Sequence, residues 1–284
     1  MSPSMMANVR TGVRRGLIEL RQAFTTPTDI VGALLPSVVL LVVMVFMKGS
    51  TIGNTGFSLG AVALPSSLGM SVGFAGMMAL AQQLAVERED GTLLRAKAIP
   101  NGMLTYLIGK IVTVSGTAVA GVLLLLVPGA FLFDGLALDS LGSWLMLFLV
   151  LAVGLVATMP IGAVFGSLFK NPRNVGAMML PMMGLVAVSG IFTPLGEMAG
   201  WLQAIGQVFP IYWLGLGMRS ALLPNDLAVV EIGQSWRHLE TLGVLGVWAV
   251  LGMVVAPIVL RRMARRESGS SVAARREKAL QRIG

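Results

Sequence analysis

The stretch EREDGTLLRAKAIPNG, residues 87–102, follows 38 residues, 49–86, that carry no ionisable side chain. A run of that kind can cross a bilayer core of about 30 Å as one helix of about 20 residues, because backbone amides in lipid must bond within their own segment. The cluster Glu87, Arg88, Glu89, Asp90 then marks the return to water. Gly91 can end the incoming helix in the left-handed conformation, Thr92 is placed to cap a new short helix, and Pro100 stops it. About two helical turns are expected over the segment 87–100, with Leu93, Leu94 and Ile99 beside Arg95 and Lys97. Such a hairpin is either a small docking knob for a soluble partner or a plain connection whose charges stay wet, and the residues alone leave both open.

Outward from the hairpin the same alternation repeats. Of 284 residues 55% are hydrophobic and 12% charged, the balance of a membrane protein and not of a soluble domain. Charge-free runs at 30–47, within 49–86, and at 111–133, 140–169, 174–196 and 241–260 predict an all-α membrane domain of six transmembrane helices over residues 30–260. A further run at 198–218 holds Gln203, Gln207 and Pro210 among aromatic residues, so 197–218 is expected to be a re-entrant or interfacial segment between spans five and six. Eighteen of the 21 Lys and Arg fall on the side of the hairpin and of both termini, which makes that side cytoplasmic. Trp144, Trp201, Tyr212, Trp213 and Trp236 gather on the other, as an interfacial belt would.

The flanks are polar and basic. In the N-terminal piece, residues 1–29, Val9, Val13, Leu17, Leu20 and Phe24 recur at helical spacing, flanked by Arg10, Arg14 and Arg21. That pattern predicts an amphipathic helix in the inner membrane interface, with a short soluble helix against a neighbouring domain as the alternative. Thr26 and Pro27 break it, and Thr28 or Asp29 can cap the first span. The piece has no cleavage-site pattern, so the first apolar run is expected to stay in the mature protein. The tail, residues 261–284, opens with Arg261, Arg262, Arg265 and Arg266, each worth ~1 kcal/mol at anionic lipid. Gly69 with Gly73, and Gly162 with Gly166, have the spacing that lets helix backbones approach, within one chain or across a dimer seam.

Several chemistries lack their residues. The chain has no Cys and a single His, His238, which leaves little for thiolate sites, metal ligation or a Ser/His/Asp arrangement. No ionisable residue falls near the middle of a span, as ion-coupled transport would need. The one Gly-Lys pair, Gly109 and Lys110, follows Gly102 at the wrong spacing for a P-loop and precedes Ile111 in place of Ser or Thr, so ATP hydrolysis is not expected on this chain. The +8 net charge sits at the ends of apolar runs, where it meets lipid headgroups and not nucleic acid.

The pattern ERxxGTL followed by Pro100 and then Gly109-Lys110 resembles the second cytoplasmic connection of ABC-2 type transporter permeases, a family of drug, antibiotic and polysaccharide exporters. The likeness covers nearly the whole chain, from the basic amphipathic helix through six spans to the aromatic and Pro-centred outer segment with Arg219 behind it. The resemblance implies a type V exporter-like fold, in which a homodimer of this permease binds two copies of a separate ABC ATPase subunit carrying ATP and magnesium, with no cofactor in this chain. Glu87, Arg88, Glu89, Gly91, Thr92 and Leu93 match the ATPase-coupling segment. Val13, Arg14, Leu17, Arg21 and Phe24 match the interfacial elbow helix, and Trp201, Phe209, Pro210, Tyr212 and Trp213 the outer re-entrant gate. The hairpin departs from the family at AKAIP, which is less hydrophobic than in many relatives. Substrate would pass at the dimer interface, lined mainly by spans two and five, in a multi-pass protein of the cell membrane. Nineteen Met and apolar spans favour a hydrophobic drug, antibiotic or lipid-like substrate, with efflux and antibiotic resistance as the implied role. A polysaccharide or teichoic-acid exporter is the alternative within the class, and a non-transporting membrane scaffold or sensor the alternative outside it.

Overall fold

The computed structural model describes residues 3–49, 58–169, 172–191, 193 and 195–266, and among these there are helices, turns and no strand. The helices are α1 (Pro3–Ala23), α2 (Pro27–Met47), α3 (Leu59–Glu89), α4 (Thr92–Lys97), α5 (Gly102–Leu132), α6 (Leu141–Leu168), α7 (Gly176–Ala187), α8 (Gly200–Val208), α9 (Pro210–Leu222) and α10 (His238–Arg266). Four of them, α3, α5, α6 and α10, are long and apolar enough to cross a membrane. Two of the six expected spans are shorter as apolar helices, Leu34–Met47 within α2 and Gly176–Ala187. The second rises only about 18 Å; a helical turn, Pro172–Val175, leads into it, and beyond it the backbone turns left-handed at Gly190, φ +71°. Most of the tail expected over 261–284 lies outside the described residues, as does the start of the run 49–86.

The packing has two distinct ends, and α3 joins them. At the first, the start of α3 meets the end of α2, where Gly60 lies against the Met44 carbonyl. At the second, Arg88 reaches the C-terminal end of α6. Val175, just before α7, packs with Ala81, Ala85 and Phe169 at the second end, whereas Gly190 beyond α7 meets Arg219 at the first. α1 runs lengthwise along the opening turns of α5, with Gly12 facing Ile108, Gly16 facing Val112 and Leu20 facing Gly116. The helix expected to lie flat in the interface thus takes its direction from α5, because its Gly12 and Gly16 face lets the two backbones touch. Part of its apolar stripe still points away, with Val13 and Leu17 exposed, while Leu20 packs on α5.

The core runs through α3, α5, α6, α9 and α10 around Leu64, Leu68, Leu125, Val150, Leu214 and Leu245. The two glycine pairs work within the chain. A Cβ on Gly69 would lie 2.6 Å from the Gly215 amide of α9, and one on Gly162 would lie 2.2 Å from the Gly76 carbonyl of α3. Gly76 belongs to a π-helical turn, Ala75–Ala79, inside α3. The segment expected at 197–218 divides at Phe209–Pro210 into the amphipathic α8 and the buried α9, which continues to Leu222.

Candidate functional site

The charged hairpin forms much as its residues dictate. Gly91 takes φ +81°, which a side chain would resist, and ends α3. The capping differs in detail: the Asp90 carboxylate accepts from the Thr92 amide at 2.7 Å, while Thr92 is the first helical residue and its hydroxyl accepts from Arg95. A carboxylate serves better here because it also meets the positive end of α4. Asn101 at φ 55° closes the hairpin and starts α5.

The six residues matched to the coupling segment divide between inside and outside. Leu93 is 1% exposed and joins the core, so it is a root of the hairpin and not part of a surface knob. Arg88 is buried, its Nη1 donating to the Ser167 carbonyl at 2.9 Å and to the Phe169 carbonyl at 3.5 Å, where a cation also meets the negative end of α6. Glu87 turns inward as well. It accepts from the Tyr106 hydroxyl at 2.5 Å and pairs with Lys110. Glu89 and Thr92 are half-buried, and Gly91 is buried. The outward surface is Asp90, Arg95, Lys97, Ala98, Ile99, Pro100 and Asn101, with Ile99 62% exposed.

Glu87 is one end of a chain of charges that ties three helices together. Lys110 of α5, its side chain 5% exposed, also binds Glu19 of α1 at 2.7 Å, and Glu19 accepts from Arg15 at 2.8 Å. The Arg15 guanidinium lies over the Tyr106 ring at 5.1 Å. Two carboxylates and two cations alternate, so the cluster is neutral and each buried charge has an opposite neighbour. Burial pushes the Glu19 carboxyl up, but the hydrogen bonds from Lys110 and Arg15, and then their charges, outweigh it and hold it below the ordinary carboxylate range. Sequence reasoning missed this cluster. Its signals were Arg15 and Glu19 one turn apart on α1, and Lys110 at the mouth of an apolar run, where a buried ammonium needs a carboxylate.

The other elbow residues, Arg14 and Arg21, are exposed, and Phe24 is half-buried. The five gate residues do not converge. Trp201 is 66% exposed on α8, Phe209 stacks on Trp248 at 6.2 Å, and Pro210, Tyr212 and Trp213 are buried at the start of α9. What holds that end instead is Arg219, which is 2% exposed and pairs with Glu231 at 2.6 Å while donating to Ser66 of α3 and the Gly190 carbonyl. Arg237 adds a second clamp, stacked 4.8 Å over Trp213 and bonded to Gln207.

No curated protein matches the chain. The family described as ABC-2 family transporter protein matches residues 58–257, from the start of α3 to the second half of α10, and takes in both the hairpin and the Arg219 cluster. With most of its length matched, the chain belongs to the ABC-2 family of membrane transporter proteins.

Proposed function

We propose that this permease is the membrane half of an ATP-driven exporter, with two copies paired and two copies of a separate ATPase subunit docked on the 87–100 hairpins. ATP and magnesium act on that partner. The observation that carries the reading is the hairpin's division of labour. Its root is fastened to α5 and α6 through Glu87 and Arg88, and through Lys110 to Glu19 of α1, so a push on its exposed tip, Arg95 and Lys97 to Asn101, reaches three helices at once. The alternation of the packing supports six crossings. α1 sits at the hairpin end while the end of α2 sits at the start of α3, and Val175 and Gly190 lie at opposite ends, so α2 and the segment around α7 each travel the full depth. The excess of Lys and Arg puts the hairpin end in the cytoplasm with both termini. A hydrophobic drug, antibiotic or lipid-like compound fits the apolar spans best as substrate.

Co-expression with the cognate ATPase tests the reading. The complex should purify with equal numbers of the two chains, and reversing the tip charges with Arg95→Glu and Lys97→Glu should release the ATPase while the permease stays folded in the membrane. Efflux by the permease purified without any nucleotide-binding partner, or unchanged pairing in the double variant, refutes it.

A further inference from the structure

A cavity of about 420 Å³ lies between α6, α7 and α10, and it shares no residue with either charged cluster. Its wall is apolar throughout, with Phe165, Met182, Leu185 and Leu251 along the sides. The floor is Met77, on the π-helical turn of α3. That turn is pinned against α6, since Gly76 has Thr158 and Met159 pressed against it. One end is a rigid aromatic wall, where Trp248 stacks on Phe209 and donates its indole N–H to the Val208 carbonyl at 2.8 Å. The lining residues Leu251 and Val255 of α10 are also exposed at the molecular surface and mark the mouth, and their helix neighbours Val250 and Val254, like Leu180 and Met183 of α7, are exposed as well. These are exposed apolar side chains on helices of a membrane protein, so acyl chains meet the mouth wherever a second copy does not cover it.

We propose that this cavity holds the tail of a single bilayer phospholipid, entering between α7 and α10. Sites for drug-like or polar ligands place a few polar groups to orient the guest, and this wall offers none, so it can recognise only a featureless hydrocarbon. The volume falls at the low end of the range of about 300–1,000 Å³ for small-molecule pockets, enough for a chain segment and too small for a lipid with its headgroup. Left empty, the lining would forgo contacts on one side, and an apolar cavity of this kind stays dry and takes apolar guests. The flexible side chains of Met77, Met178 and Met182 can adapt to a chain that has no fixed shape. The occupant rests on the turn of α3 from which the helix continues to Glu87. The inference needs only that the helices sit in a bilayer, and it stands apart from the export reading.

The test uses the full chain in vesicles of phosphatidylethanolamine and phosphatidylglycerol, doped with phosphatidylcholine carrying a diazirine on its acyl chain. After irradiation, peptide mapping should find adducts on Met77, which is 4% exposed and out of reach of lipid on the helix surface, as well as on Phe131, which is 88% exposed. Filling the cavity with Met182→Trp, or blocking its mouth with Leu251→Trp, should lower the Met77 adducts about tenfold, ~1.4 kcal/mol of affinity, and leave Phe131 unchanged. Leu251 is 52% exposed, so its variant has no core to disrupt. Labelling of Phe131 without Met77, as when a second copy of the chain covers the mouth, overturns the proposal. So does Met77 labelling that survives both substitutions, or that is equal when the diazirine is moved to the headgroup.

Discussion

At the scale of single residues, the ion chain at the hairpin turns on Lys110. Its ammonium pairs with both Glu87 and Glu19, and its side chain is 5% exposed. Lys110→Met would leave two half-buried carboxylates without their shared cation, a loss bounded above by the cost of breaking a fully buried pair, about 3–5 kcal/mol. Thermal unfolding in detergent should show a clear fall in Tm. Glu87→Gln should cost less, since an amide oxygen can still accept from Tyr106 and Lys110 keeps Glu19; equal losses would show that Glu19 contributes nothing to holding the Lys110 charge. Acid should loosen the same seam. The folded-state pKa of Glu19 is depressed, so its contribution is complete above the ordinary carboxylate pKa and is lost as pH falls through the lowered value. Protease or hydrogen-exchange protection of α1 should therefore drop across that acid window in the natural chain, and a Glu19→Gln variant should show no such step.

At the scale of elements, contact between α3 and α6 depends on backbone meeting backbone. Gly162→Ala places a methyl 2.2 Å from the Gly76 carbonyl, an atom that no rotamer change can move, so overpacking of about 1–3 kcal/mol is expected. Gly184→Ala on α7 meets nothing within 4 Å and should be neutral or gain up to about 1 kcal/mol in helix propensity. Tm measurements on the two variants separate them, and a harmless Gly162→Ala would mean that α3 and α6 can slide apart. The contrast also shows what was legible in the residues. The Gly162 and Gly166 spacing announced a close approach, but spacing carries no address, and only the packing assigns it to α3 within the same chain. The hairpin was legible because Gly91 and Pro100 act on their own neighbours, although its cap proved to be Asp90 and not Thr92. The pairing of Arg219 with Glu231 and Ser66 was not, because it depends on where α9 lies against α3.

At the scale of the whole molecule, hydropathy counts four crossings and the proposed reading six, and the difference has a physical source. Four helices meet the length and apolarity of a span, whereas α2 starts among Thr26, Pro27 and Asp29, and α7 begins in a 3₁₀ turn and stops short of Gly190. A segment packed against neighbours need not be a full apolar helix, since irregular backbone is tolerated at membrane depth where protein covers it. Four crossings would leave α1 and the hairpin on opposite faces of the membrane, but α1 lies along the opening turns of α5, directly after the hairpin. The natural chain has no Cys, so single-cysteine variants read this directly with a thiol reagent that cannot enter intact cells. Met6→Cys and Lys97→Cys, both at exposed positions, should react only after the membrane is opened, and Asp139→Cys, exposed beyond the far end of α5, should react without it. Labelling of Met6→Cys together with Asp139→Cys in intact cells would take α2 out of the crossings and detach α1 from the hairpin. Agreement of Met6→Cys with Lys97→Cys places α1 and the hairpin on one face, where the ATPase subunit proposed above could bear on both.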